Sequence, residues 1–375
     1  MGIEKIHIEQ FLELSEQYPV FDVRSPGEYN HAHIPGAINL PLFTNEERAI
    51  VGTTYKQKSR EEAIKTGLAF FGPRMKQMVD DVERLIINRQ PAIEDSDQTK
   101  SNGSGLPIAN CVLLYCWRGG MRSAAVAWLL DLYGFKVYTL AGGYKKFRNK
   151  AIELFGLPFS FKILGGYTGS GKTEILKALQ KKGELVIDLE EIAKHKGSAF
   201  GNIGMPEQPS QEMFENILAS ELRIILQTSP VGGGLEGAWL EDESQRIGLV
   251  NIPGEIWLTM RKSPVYFLNI PFEKRLEHLV PEYGALDCQK MITAIERIRE
   301  KLGGLNAKNA IQYLKEGKTA ESFGILLKYY DKYYLKALHN REDINSLLTM
   351  INCESVTPEN ARYLAGQLQY QSEIG

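Results

Sequence analysis

The chain has 375 residues, four cysteines and a formal net charge of −2, with 43% hydrophobic and 24% charged residues. At one domain per ~150 residues this length suggests two or three domains of an ordinary globular protein. Cys111, Cys116, Cys288 and Cys353 are too few and too scattered for a disulfide framework or a zinc knuckle. The near-neutral charge carries no global nucleic-acid signature, so a tRNA or DNA partner has to be argued from local patches. The apolar runs at 112–116 and 124–130 fall well short of the ~18 residues of a membrane span. The start, MGIEKIHIEQF, lacks a basic region followed by an apolar core, and Ile6 stands where a myristoylation signal wants Ser or Thr. The expectation is a cytoplasmic protein.

In chain order, YPVFDVRSPGEYNHAHIPGAINLPLF reads as a short buried strand at 20–23, a polar turn at Ser25-Pro26-Gly27 and a second extended piece after Pro35-Gly36. The following stretch to about residue 86 has helical spacing, with Met75, Met78, Val79, Val82, Leu85 and Ile86 on one face. Residues 93–106 are polar, rich in Gly and Ser and aperiodic, which predicts a flexible surface insertion. A strand CVLLYC, a loop, a helix over about 122–133 and a strand KVYTL then lead to AGGYKKFRNKA. This alternation predicts a mainly parallel α/β sheet with Cys116 at the carboxyl end of a strand, where such sheets place their sites. A second α/β unit opens at FSFKILGGYTGSGKTEILKALQKKGELVIDLEEI, and from about Pro271 the pattern turns helical and charged. The expected domains are 1–150, 151–270 with the second α/β unit, and a helical region 271–375 packed on it.

Two loops carry chemistry. In YCWRGGMRS, residues 115–123, Cys116 and Arg122 stand in C-x5-R spacing at a strand-to-helix junction. Backbone N–H groups and the helix dipole at such a junction lower a thiol pKa and favour the thiolate. Arg118 and Arg122 can add charge-assisted bonds to a tetrahedral oxyanion. The plain alternative is a buried strand cysteine beside arginines that pair with surface carboxylates. The second loop, GYTGSGKT at 166–173, matches G-x-x-x-x-G-K-[ST] between a strand and a helix. Gly166, Thr168, Gly169, Ser170 and Gly171 let backbone N–H groups approach phosphate oxygens, Lys172 supplies a point charge, and the Thr173 hydroxyl suits Mg2+. Asp188, ending the strand ELVID, could orient a metal-bound water or a ligand hydroxyl. The acidic run Glu241-Asp242-Glu243 reads equally as a solvated turn or as part of this site. The motif leaves open what is attached to the diphosphate it binds.

FDVRSPGEYNHAHIPGAINLP, YCWRGGMRS and AGGYKKFR together resemble a single rhodanese domain, whose cysteine carries sulfur as a persulfide. Many rhodanese sulfurtransferases have a loop one residue shorter. C-x5-R is the length seen in cysteine phosphatases, and a loop wide enough for phosphate points to selenophosphate as the chalcogen donor. Fused to a P-loop domain, and with EERAIVGTTYKQKSREEAIKTGL, EDESQRIG and LLKYYDKYY, nearly the whole chain resembles the tRNA 2-selenouridine synthase family. That resemblance implies a selenotransferase and geranyltransferase. Its members convert wobble 2-thiouridine of tRNA to 2-selenouridine with selenophosphate, through S-geranyl-2-thiouridine made from geranyl diphosphate. It implies Cys116, Arg118 and Arg122 as catalytic residues, and a diphosphate site at 166–173 with Asp188. It leaves room for Mg2+ and for a selenophosphate synthase as a protein partner, and calls for neither membrane nor DNA.

The tRNA leaves a fainter trace. Lys56, Lys58 and Arg60 beside Tyr55, and Lys145, Lys146, Arg148 and Lys150 with Tyr144 and Phe147, combine positive charge with rings suited to stacking on loop bases. Solvated helix faces are the plain alternative. Two other functions fit the loops: an ATP-dependent tRNA sulfurtransferase, and a C-x5-R phosphatase with a regulatory P-loop domain.

Overall fold

The computed structural model describes residues 2–87, 111–228 and 237–364. The insertion expected at 93–106 lies outside them. The chain divides into two compact units, Met1–Ile152 and Glu153–Gly375.

In the first unit, strands β1 (Ile3–Ile6), β2 (Val20–Asp22), β3 (Ile38–Asn39), β4 (Cys111–Tyr115) and β5 (Lys136–Leu140) form one sheet in the order β1-β5-β4-β2-β3. Every pairing is parallel, so each strand is carried back by a crossover and the carboxyl ends share one edge. The inner strands are buried on both faces, which explains the continuous apolar run Val112, Leu113, Leu114. Strand β1 has a largely exposed pattern and is placed by its pairing with β5. The stretch read as a polar turn at 25–27 is instead the start of a helix, Pro26–His31, with Ser25 and Glu28 forming a capping box. The helical stretch before residue 87 resolves into helices Asn45–Gln57, Arg60–Phe71 and Met75–Ile87, the first two capped by Thr44 and Ser59. Met78, Val79, Val82 and Ile86 bury the expected face of the third against Val126 and Leu130 of the helix Met121–Tyr133 and their neighbours in the core.

In the second unit, β6 (Phe161–Gly166), β7 (Val186–Ile187), β8 (Ala238–Glu241), β11 (Val265–Asn269) and β12 (Leu348–Asn352) form a parallel sheet in the order β12-β11-β6-β8-β7. A two-stranded ribbon joins β9 (Arg246–Ile247) and β10 (Val250–Asn251). The region after Pro271 is mostly helical, with helices Phe272–Gly284, Cys288–Arg297, Gly304–Lys315 and Thr319–His339. It also supplies β12, a strand absent from the sequence reading, which pairs with β11 along five residues. Phe323, Leu326 and Leu327, spaced for one face of the long helix, pack with Leu279 and Tyr283 into a helical core. No described helix is long and apolar enough to cross a membrane.

Candidate functional site

Each sheet carries one strand-loop-helix junction at the carboxyl end of a central strand. In the first unit β4 ends at Tyr115, and Cys116 opens the loop leading to the helix Met121–Tyr133. The loop is locked to the first turn of the helix Gly143–Phe155: the N–H groups of Tyr144 and Lys145 donate to the carbonyls of Cys116 and Trp117, at 2.9 and 3.0 Å. Glycine is required at this contact. Gly143 has φ +59, and a Cβ there would lie 2.2 Å from the Cys116 carbonyl oxygen; at Gly119, φ +63, it would lie 2.4 Å from that of Leu140. Beneath them Tyr144 is fully buried, with the Arg24 guanidinium 4.0 Å from its ring centre. Arg24 is itself held by buried Asp22 at 2.6 Å.

The Cys116 thiol sits on the floor of this loop, 3% exposed. Gly120 N–H donates to Sγ at 3.3 Å, and the Ser123 hydroxyl lies 3.3 Å from Sγ. Burial alone pushes the thiol up; the Ser123 hydroxyl, the N–H groups of Ser123 and Gly120, and the Arg122 charge outweigh it, and the thiol pKa falls. Arg122 is fixed by Glu28 at 2.8 Å, and Glu28 also pairs with Arg48 at 3.0 Å. Arg118 is exposed. Ser123 and Glu28 were not singled out in the sequence reading. Ser123 directly follows the C-x5-R arginine, and Glu28 sits in the quoted DVRSPGE segment.

In the second unit β6 runs into the phosphate-type loop and the helix Lys172–Lys181. Gly166, Thr168, Gly169, Ser170, Gly171, Lys172, Thr173 and Asp188 all line one cavity of about 980 Å³. Lys172 Nζ donates to the Gly166 carbonyl at 3.4 Å, and Thr173 donates to Glu241 at 3.0 Å. Asp188 caps the helix Leu189–Ala193 through a 2.8 Å bond from Glu191 N–H. The acidic run is not a solvated turn. Glu241 is fully buried at the end of β8, and its carboxylate lies with those of Glu190 and Glu243 within 4.8 Å of one another. Burial, reinforced by mutual repulsion, pushes Glu190 up to about 9 and Glu241 and Glu243 up to about 8, against the opposing pull of Lys172. Glu241 Oε2 and Ser170 Oγ are buried without a protein partner, which marks the polar floor of a ligand site.

The cavity is also lined by aromatic side chains, Trp257, Tyr330, Tyr333 and Tyr334. Part of that lining also holds the loop. Tyr334 accepts from Gly166 N–H at 3.2 Å and donates to Asp242 at 2.6 Å, and Arg341 pairs with the same Asp242. Arg275 donates to the Thr168 carbonyl at 3.0 Å while Asp331 takes its guanidinium at 2.9 and 2.7 Å. The LLKYYDKYY segment therefore buttresses the loop from a helix more than a hundred residues away.

The expected tRNA residues divide. Lys56, Lys58, Arg60, Lys145 and Lys146 are exposed. Arg60 reaches Met121, the first residue of the helix behind Cys116, at 3.8 Å. Lys150 pairs with Glu9 at 3.4 Å, and Arg148 is half-buried. The stacking rings expected in the second patch are not available, because Tyr144 and Phe147 face the core. Tyr55 and Trp117 are exposed.

These features define a class of protein: a rhodanese-like unit closed around a buried cysteine, followed by a P-loop α/β unit with a helical C-terminal part. Family comparison agrees. A rhodanese-like domain matches residues 7–70 and 77–150, and the tRNA 2-selenouridine synthase AAA domain matches 159–356. The tRNA 2-selenouridine synthase of Bdellovibrio bacteriovorus is 33% identical, across 91% of this chain and 94% of its own length. That of a Sulfurovum species is 34% identical across 84% and 87%. The chain belongs to the tRNA 2-selenouridine synthase family.

Proposed function

We propose that this chain is a tRNA-modifying transferase that exchanges the sulfur of wobble 2-thiouridine for selenium, using geranyl diphosphate and selenophosphate in turn. The observation that carries the reading is the cavity of the second unit, where a complete diphosphate-type loop and four aromatic side chains line one space of about 980 Å³. The rings offer apolar surface to a prenyl chain beside the anion cradle; Arg261, His278 and Asn340 also line the cavity, so a test with labelled donors decides between a prenyl diphosphate and a nucleotide. In the first reaction the thiocarbonyl sulfur attacks C1 of the prenyl chain, the C1–O bond breaks toward diphosphate, and the uridine N3 proton is lost. Lys172 and the loop N–H groups hold the departing diphosphate. The alkylated sulfur is then a competent leaving group: selenide attacks C2, the C2–S bond breaks, and geranyl thiol departs. Cys116, with Arg118 and Arg122, handles selenophosphate, which a selenophosphate synthase would supply.

Thr173, Glu241, Glu190 and Glu243 fit a divalent cation such as Mg2+: they offer hard oxygen ligands, including an orphaned buried carboxylate oxygen. When bound, the ion would neutralise charge on the diphosphate. The tRNA would meet Lys145 and Lys146 on one helix and Lys56, Lys58 and Arg60 near the Cys116 loop. The test is incubation of the chain with thiolated tRNA and either labelled geranyl diphosphate or labelled ATP. Prenyl label in the RNA supports the proposal; nucleotide consumption coupled to chalcogen transfer, with no prenyl label, supports an ATP-dependent sulfurtransferase instead.

A further inference from the structure

Resting on that reading, we infer that Cys116 attacks the phosphorus of selenophosphate, not its selenium, and so forms a transient S-phosphocysteine that sets selenide free for the tRNA. In selenophosphate, selenium is already at the selenide level and phosphorus is pentavalent. Moving selenium onto a thiolate as Cys–S–Se would oxidise the chalcogen pair by two electrons and require phosphorus to leave as phosphite or an added oxidant to act. Attack at phosphorus needs neither. The thiolate pair forms the S–P bond, the P–Se bond breaks with its pair to selenium, and hydrogen selenide leaves. Water then cleaves the S–P bond to give inorganic phosphate and the thiolate.

The loop is built for that sequence. Its C-x5-R spacing is that of a phosphate-wrapping loop, one residue longer than a typical sulfur-carrying one. The floor thiol accepts Gly120 N–H at 3.3 Å, as a thiolate does. The Ser123 hydroxyl, 3.3 Å from Sγ, is the second feature. It also donates to the Gly120 carbonyl at 3.1 Å, so a small rotation of one hydroxyl carries its hydrogen between the carbonyl and Sγ. A hydroxyl there stabilises sulfur as a leaving group and serves the second step, release of Cys116 from phosphate. Glu28 fixes Arg122 at 2.8 Å, which holds the guanidinium charge near Cys116, where it can add charge-assisted bonds to a phosphoryl group.

The experiment is a rapid-quench reaction of the full chain with selenophosphate alone, without tRNA or prenyl donor, read by intact-protein and peptide mass spectrometry and by selenide release. The expected result is a phosphoryl group on Cys116, absent in Cys116→Ser, and a burst of selenide equal to the enzyme present. Ser123→Ala should accumulate the phosphoryl adduct and slow later turnovers by about tenfold to a hundredfold, while the first burst persists. Because that variant still forms the adduct, its effect is not explained by misfolding. Selenium on the Cys116 peptide in place of phosphorus overturns the inference but keeps the selenophosphate reading. Cys116-dependent selenide release with no protein-bound phosphoryl in either protein also overturns it. If neither the wild type nor either variant consumes selenophosphate, with or without thiolated tRNA, the underlying reading fails and takes this inference with it.

Discussion

The Cys116 loop and the Lys172 loop occupy the same place in their sheets, each between a central parallel strand and a helix, yet their surroundings are opposite. The first gathers donors: a backbone N–H, a hydroxyl and the Arg122 charge act on one thiol, and Glu28 is spent on arginines. The second opens into a large cavity lined by Lys172, by the buried Glu241 with the half-buried Glu190 and Glu243, and by aromatic side chains. A strand-end loop thus supplies a generic anion cradle, and the shell around it decides which anion. A compact shell of donors suits a single tetrahedral group at a nucleophile; a wide shell with carboxylates suits a diphosphate bearing an apolar tail and accompanied by a cation.

The largest effect should come from the foundation of the first loop. Asp22→Ala leaves Arg24 charged and buried beneath Tyr144, and should cost the first unit about 3–5 kcal/mol in denaturant unfolding; a loss under 1 kcal/mol would show that the pair does not hold the loop. Next, Lys172→Ala should lower prenyl transfer by ~10^2 or more, the scale of one contact to developing charge. Selenation of tRNA supplied already geranylated should survive. Equal loss on both substrates would make the second loop a structural or regulatory element.

The two loops should also answer pH with opposite sign. Glu190, Glu241 and Glu243 bind protons more tightly folded than unfolded, so their contribution is full below the ordinary value of 4.5 and is lost as pH rises toward about 9. Cys116 has its folded value lowered, so its smaller contribution is present above the ordinary 9.0 and fades as pH falls through the folded value. The melting temperature of the unliganded protein should therefore decline across that interval, and Glu241→Gln should flatten the decline. An unchanged slope would mean that these carboxylates are solvated.

The smallest effect concerns tRNA. Replacing Lys145, Lys146, Arg148 and Lys150 with Gln should weaken tRNA binding and reduce its salt dependence, with prenyl diphosphate binding nearly unchanged. Since Lys150 already pairs with Glu9, most of the change should come from Lys145 and Lys146. An identical salt slope would move the interface to Lys56, Lys58 and Arg60.

Much of this organisation was legible because strand-loop-helix junctions are local. The runs ending at Tyr115 and Gly166 are largely buried and are followed within four residues by glycines, Gly119 and Gly169, so both cradles could be placed from a few consecutive residues. What stayed hidden depends on separation in sequence. Strand β12 pairs more than eighty residues from β11 and has exposed positions, so its pattern does not announce a sheet. Glu190 and Glu243 are indistinguishable from surface acids until the fold brings them to Glu241. Tyr144 and Phe147 sit among lysines, which suggested stacking surfaces; the helix in fact turns those two inward and the charges outward, as an amphipathic helix does.

The division of labour between the loops is tested most directly by mass spectrometry of nucleosides from thiolated tRNA treated with Cys116→Ser and geranyl diphosphate, before and after selenophosphate is added. The account predicts that the variant accumulates S-geranyl-2-thiouridine at close to the wild-type rate and yields no 2-selenouridine on adding the selenium donor. Formation of 2-selenouridine by this variant, or loss of geranylation in a folded protein that still binds tRNA, would contradict it.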